Sequence, residues 1–460
     1  MDLNGREWLS EEFNLLKNKG IIALKDVEVV EGLIKTKGGY CCQRCLNEKE
    51  SHFASFIYQG NEITYCRDCL DFKMVSSESL LYRSKIGSSV SAEAGKLNVD
   101  FKLSFLQQQA SEFSKQLLRN REIGITWAVC GAGKTEMMFE AISEALASNK
   151  RVCWAIPRAD VVVELVPRLR ASFPNAKVIG LHGHSNEKDQ YADIVITTTH
   201  QLIRFYQAFE FLIIDEVDAF PYTFDPMLPR LVKKSCKPKC AIIYLSATPS
   251  RSDQKLIKSG SLKSCLIPAR YHLNSLDIPT FRWCGPLNSY LNYGLLPYSI
   301  VKWLKEKINR QRRALLFVPS IKMGRQLKKV LLKRMGLDVN FVFSNDEQRL
   351  EKVQQFKEGK GQFLITTMIL ERGVTIVDID VAIFAAHHEV FEESALVQIS
   401  GRVGRSPKFP HGDIVFFHYG VTSAMDQARE QIKMMNRKAR FQGLLIDCKG
   451  EKNNRVSSLC

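Results

Sequence analysis

Four groups of residues, in a fixed order along a 460-residue chain, have types and spacings suited to phosphate chemistry. The first is Ala128-Val-Cys-Gly131-Ala132-Gly133-Lys134-Thr135, which follows an apolar run and precedes a helix-forming one. Gly131 and Gly133 let backbone amides around Ala132 approach phosphate oxygens, and a helix N-terminus adds positive potential. Lys134 is expected to reach the β- and γ-phosphates of ATP and Thr135 to ligate Mg²⁺. The leading glycine of the general pattern is Ala128 here. The second group, Asp215-Glu216-Val-Asp218, ends the apolar run Phe211–Ile214. Asp215 is expected to hold Mg²⁺ through water and Glu216 to polarise the attacking water as general base. Alone it would read as a solvated acidic turn, but roughly 80 residues after a phosphate loop it reads as chemistry.

Ser246-Ala-Thr248 ends another apolar run, and its hydroxyls are expected, with Gln398, to couple a nucleotide site to a nucleic-acid groove. In Gln398-Ile-Ser-Gly-Arg402-Val-Gly-Arg405 the two arginines lie three apart and share a face if the segment is helical. Arginine forks suit charge developing on a transferred phosphoryl group, although the same side chains could bind a phosphate backbone instead. Gln107, in Leu103-Ser-Phe-Leu-Gln107, is a candidate reader of adenine. Candidates for strand contacts are Arg158, Thr198, Thr199, Thr366 and Arg372, which fall after apolar runs and suit backbone phosphates rather than base edges. Turn and capping roles explain each of these about equally well.

Cys42-Gln-Arg-Cys45 and Cys66-Arg-Asp-Cys69 are separated by twenty residues, the spacing of a Cys₄ zinc ribbon holding Zn²⁺. Cys41 leaves the register open, since a Cys41/Cys45 pair is also sterically feasible. Four thiolates around Zn²⁺ carry a formal −2 in a region already net negative, so structure or partner docking suits the module better than phosphate binding.

The elements that must position these groups follow from patterning. From Phe101 onward, helices alternate with short apolar strands, the pattern of parallel α/β sheets whose ligands bind at the carboxyl ends of strands. Strands are expected at 125–129, 151–155, 176–180, 194–197, 211–214 and 241–245, then at 313–318, 340–343, 362–366, 381–385 and 413–417. The expected fold is two tandem RecA-like parallel-sheet lobes, 101–280 and 281–460, preceded by an N-terminal helical segment 1–35, a Cys₄ module 36–75 and a linker 76–100. The net charge of +16 is uneven: −2 over residues 1–100, +6 over 101–280 and +12 over 281–460. A phosphate backbone crossing the two lobes suits that distribution, though charge alone does not require a polyanion. There is no apolar run of membrane-spanning length, and the first ten residues lack a basic region followed by an apolar one. A cytoplasmic location is therefore expected, with any membrane association made through partners.

Together the motifs resemble superfamily 2 helicases and translocases. Adding the Cys₄ module, Pro157-Arg-Ala-Asp-Val-Val, Pro268-Ala-Arg-Tyr-His and Leu370-Glu-Arg-Gly-Val-Thr, the chain is similar to the ComFA family, the late-competence ATPases of Gram-positive bacteria that help bring single-stranded DNA into the cell. That resemblance implies a DNA-stimulated ATPase at the inner membrane face, peripheral to the membrane and near the uptake channel and other competence proteins. An RNA helicase, a replication-restart helicase and a non-motor ATP-gated clamp or scaffold share enough of the motifs to remain alternatives.

Overall fold

The computed structural model describes residues 3–85, 90–219, 221–222, 224–372 and 376–446. Of the expected segments, 373–375 at the end of the Leu370-Glu-Arg-Gly-Val-Thr motif and Gly87–Ser89 of the linker lie outside them. The chain divides into two compact units. The first holds residues up to Thr126 and Lys134–Cys265, and the second holds Trp127–Gly133 and the residues from Leu266 onward.

The first unit is built on a seven-stranded sheet. Its spatial order is Val178–Leu181, Ile194–Thr198, Val152–Ile156, Phe209–Ile214, Cys236–Ser246, Ile123–Ala128 and Lys263–Ile267. Pairs from Val178–Leu181 through Cys236–Ser246 run parallel. Val152–Ile156 and Ile194–Thr198 are buried at every position, so their side chains read as continuous apolar runs rather than alternating ones. Strand ends are therefore where polar residues first become affordable, and the acidic motif and the Ser-Ala-Thr motif both sit there. The last strand, Lys263–Ile267, was not among the expected ones.

The second unit carries a six-stranded, all-parallel sheet in the order Thr280–Trp283, Ile414–His418, Ile379–Phe384, Arg313–Phe317, Phe363–Thr366 and Asn340–Val342. The edge strand Thr280–Trp283, also not among the expected ones, lies between Pro279 and Pro286. Pro279 precedes the strand rather than interrupting it, which an edge strand tolerates. Helix Ile321–Met335 has Ser320 as N-cap, its hydroxyl accepting from the Met323 amide, and Gly336 at φ +64 as its left-handed stop. The basic tail forms helix Ser423–Phe441, which packs Met425, Ile432 and Met435 inward.

The N-terminal region is not a helical arm followed by a loose connection. Leu80–Ser84, inside the expected linker, is the central strand of an antiparallel sheet flanked by Glu7–Leu9 and Val27–Glu31. Among the described residues of the first 35, only Ser10–Asn18 is α-helical. A two-stranded and a three-stranded antiparallel sheet then carry the cysteine module. One apolar core runs without a break from Cys42, Cys45, Cys66, Cys69 and Val75 into Ile203, Phe205, Leu228 and Leu231 of the first unit. Charge reinforces the join. Lys234 Nζ, fully buried, reaches Glu7 Oε1, the Arg44 carbonyl and the Ile203 carbonyl, each at 2.7 Å. Burial pushes the Lys234 ammonium down and the Glu7 carboxylate beside it pushes it back up, with a net lowering.

Candidate nucleotide site and metal centre

The phosphate loop turns on Gly131 at φ +81 and Gly133 at φ +79, conformations that L side chains rarely adopt. Helix Lys134–Ala147 begins directly after it. Lys134, Glu216 and Asp218, all in the first unit, act electrostatically on Asp215. Burial raises the Asp215 carboxyl, Lys134 pulls it down, and Glu216 and Asp218 add to the rise, leaving it pushed up to about 6. The Asp215 carboxylate and the Thr135 hydroxyl are oxygen donors of the type Mg²⁺ takes.

Glu216 stands at φ +52, a left-handed conformation costing on the order of 1–3 kcal/mol for a non-glycine residue. Its amide donates to Asp215 Oδ1 at 2.8 Å, and its carbonyl accepts from the Ala219 amide at 2.8 Å. Asp218 receives both hydroxyls of the next motif, Ser246 Oγ at 2.8 Å and Thr248 Oγ1 at 2.6 Å. Ser246 Oγ also accepts the Thr248 amide at 3.0 Å. Asp218 was quoted in the sequence motif without a role; its spacing of three from Asp215 was the only signal.

In the second unit, helix Glu393–Ser400 stops before the arginines. Arg402 and Arg405 therefore lie on the following turns and do not share a helix face, as the sequence spacing had allowed. The stop is steric. A side chain at Gly401 would lie 2.3 Å from Cys130 Cβ, and Gly404, at φ +68, would meet the Pro410 carbonyl at 2.2 Å. Arg402, buried, donates from Nε to the Glu371 carbonyl at 3.0 Å, and Arg405 Nε donates to the Gly401 carbonyl at 3.0 Å. Gln398 Oε1 accepts from Cys130 Sγ at 3.0 Å. Arg270, also buried, donates from Nη1 to the Gly404 carbonyl at 2.6 Å and packs against Gly131. Burial lowers its guanidinium to about 10. It belongs to the quoted Pro268-Ala-Arg-Tyr-His segment, which sequence reasoning left without a function.

The other candidates are placed as follows. Gln107 is buried in a capping box, its Oε1 accepting the Ser104 amide at 2.9 Å while Ser104 Oγ accepts the Gln107 amide at 3.4 Å. Arg158 forks onto Asp160 at 2.6 and 3.1 Å. Thr198 and Thr199 are buried at the end of Ile194–Thr198. Thr366 is buried with its hydroxyl on the Thr367 carbonyl at 2.9 Å, and buried Arg372 pairs with Glu371 at 3.0 Å.

Cys42, Cys45, Cys66 and Cys69 place their sulfurs within 4.8 Å of one another, all fully buried. The contacts Cys42–Cys69 at 3.7 Å and Cys45–Cys66 at 3.6 Å match the roughly 3.8 Å edge of a tetrahedron with Zn–S near 2.3 Å. They are far too long for disulfides of about 2.05 Å. The cluster fits zinc. Cys41 stays outside it, accepting from Gln43 Nε2 at 3.5 Å, which settles the register.

Two RecA-like parallel-sheet lobes with a phosphate loop, an acidic strand end and a paired-arginine motif define a superfamily 2 helicase-like ATPase. The solved structures most informative for the fold agree: Saccharomyces cerevisiae Dbp5 bound to RNA and ADP BeF3 matches with TM-score 0.53 at 16% identity, covering 73% of this chain and 88% of that one. The DEAD-box helicase Mss116 bound to ssRNA and UDP-BeF matches with TM-score 0.52 at 19% identity, over 69% and 70%. Family models match at residues 1–83 (Competence protein ComFA N-terminal domain), 100–251 (Type III restriction enzyme, res subunit) and 298–407 (Helicase conserved C-terminal domain). Competence protein ComFA of Bacillus subtilis is 40% identical over 92% of this chain and 89% of its own length. Its namesake from Streptococcus pneumoniae is 38% identical over 90% and 94%. The chain belongs to the ComFA family, and is a competence-associated helicase-like ATPase. Among the described residues no helix is long and apolar enough to cross a membrane.

Proposed function

We propose that the chain is an ATP-driven motor that moves single-stranded DNA during uptake in natural transformation. ATP phosphates are held by Gly131, Ala132, Gly133, Lys134 and Thr135, and Gln107, fixed by its cap, reads the base. Thr135 and Asp215 hold Mg²⁺, which when bound neutralises charge on the phosphate oxygens. Glu216 takes the proton of the attacking water, and Arg402 and Arg405 stabilise the charge that develops on the transferred group. Arg158 grips the strand backbone; Thr198, Thr199, Thr366 and Arg372, being buried, act by shaping the loops that carry it. The protein works at the inner face of the cell membrane beside the uptake channel and other competence proteins.

The observation that best supports a motor rather than a static binder is the doubled hydrogen bond from Ser246 and Thr248 to Asp218. It ties the strand end that would sense hydrolysis to a second strand end through one carboxylate. The experiment is release of streptavidin from biotinylated single strands under ATP. Faster release from one labelled end only supports directional stepping; release indifferent to ATP or to the labelled end would leave a clamp.

A further inference from the structure

The metal module and the loop Thr197–Gln201 form a closed circuit within the first unit. Phe72, three residues past Cys69, stacks on His200 with ring centres 5.8 Å apart and planes 18° apart. Its backbone is pinned from the other knuckle. Arg44, buried between Cys42 and Cys45, donates from Nη1 to the Phe72 carbonyl at 2.7 Å and to the Lys73 carbonyl at 3.3 Å. On the far side His200 Nε2 meets Asp225 Oδ2 at 3.2 Å, and Asp225 Oδ1 accepts the Met227 amide that opens helix Met227–Ser235. That helix returns to the knuckles: Arg230 donates to the Cys45 carbonyl at 3.1 Å and to Asp68 at 2.5 Å, and Lys234 to the Arg44 carbonyl at 2.7 Å. His52 closes Asp68 from its other oxygen at 2.7 Å.

A module meant only to dock partners would need a tether, not a circuit through the loop that follows Ile194–Thr198. We propose that Phe72 is a positioning residue for strand binding: through its stack on His200 the metal module sets the Thr197–Gln201 loop, so that an intact knuckle is required for grip on single-stranded nucleic acid but not for unstimulated ATP turnover. The proposal rests on the loop being a strand contact, as put forward above. It gives the Cys₄ module a part in strand binding without phosphate contacts of its own, consistent with its negative charge.

The test uses the full chain and fluorescence anisotropy with a labelled mixed-sequence single-stranded oligonucleotide. Each variant is also assayed for zinc content, thermal midpoint and unstimulated ATP hydrolysis. Phe72→Leu, which keeps an apolar side chain but loses the ring, is expected to weaken strand binding about three- to tenfold, with zinc and unstimulated turnover at parental values. Phe72→Tyr, which keeps the ring, is expected to bind as the parent does. Thr198→Val reports on the loop itself. If Thr198→Val weakens binding while Phe72→Leu does not, the relay is overturned and the loop assignment stands. If neither changes affinity, both fall. Should Phe72→Leu shed zinc, His200→Leu removes the same stack from the loop side, and parental affinity in that variant would overturn the proposal.

Discussion

Glu216 shows most clearly what a single residue contributes. It holds a left-handed backbone at φ +52 directly after Asp215, at the end of Phe209–Ile214. With Glu216→Gln the expected loss of turnover is on the order of 10²- to 10⁴-fold, with binding of a fluorescent ATP analogue preserved. Parental turnover in that variant would remove the glutamate from its role. Arg402→Lys and Arg405→Lys keep charge but lose the fork, and each is expected to slow hydrolysis by on the order of 10³-fold with KM for ATP changed far less. Residues of this kind stood out as candidates because a polar group after a buried apolar strand is unusual enough to invite a role. The placement of the arginines was not legible: helix Glu393–Ser400 ends before them, and the close approach of Cys130 to Gly401 joins residues far apart in sequence. Nor was the burial of Thr199, Thr366 and Arg372, because a threonine after a strand looks the same whether its hydroxyl meets solvent or a carbonyl.

Elements carry the next level of the argument. Most strands were readable from apolar runs, but Lys263–Ile267 and Thr280–Trp283 were missed because each is short and only partly buried at the edge of its sheet. The N-terminal strands were hidden for another reason: Leu80–Ser84 pairs with residues far upstream, from Glu31 back to Glu7, and a polar connection has the same local composition. The metal module is continuous with the core of the first unit. Stripping the metal with a chelator and thiol reagent is therefore expected to lower the thermal midpoint of the whole first unit, releasing about one zinc per chain. A midpoint unmoved by metal loss would show the module to be an appendage. The second unit has its own ionic anchor, in which Lys307, Arg312 and the Asp413 amide converge on buried Asp380. Burial pushes the Asp380 carboxyl up, but Arg312, the Asp413 amide and Lys307 outweigh it, so the group sits below the usual carboxylate range. A depressed value means stability that is present above the unfolded carboxylate range, near pH 4, and lost as pH falls through the folded value. Asp380→Asn, which leaves Lys307 to Asp413 and Arg312 to Asp378, is expected to cost about 1.5–3 kcal/mol at neutral pH, with the gap from the parent narrowing in acid. Denaturant unfolding at pH 7 and pH 3 checks both the size and the sign.

Across the whole molecule, charge and chemistry are divided. Residues 281–460 carry +12 of the total +16, while residues 1–100 carry −2. Single-strand affinity is accordingly expected to fall linearly on a log–log plot against salt, with a slope of about −0.7 per phosphate neutralised. An affinity indifferent to salt would contradict a backbone grip. The two-lobed architecture was legible from the alternation of helices and apolar runs, whereas the assignment of Trp127–Gly133 to the second unit was not, since no local pattern records which core a loop joins. The central claim is that single-stranded DNA drives the ATPase cycle of this chain. Its most direct test is steady-state ATP hydrolysis with no nucleic acid, with single-stranded DNA, with duplex DNA and with RNA, using Glu216→Gln as the blank. Strong stimulation by single-stranded DNA alone is the predicted result. Stimulation mainly by RNA, or turnover indifferent to every strand, would contradict it.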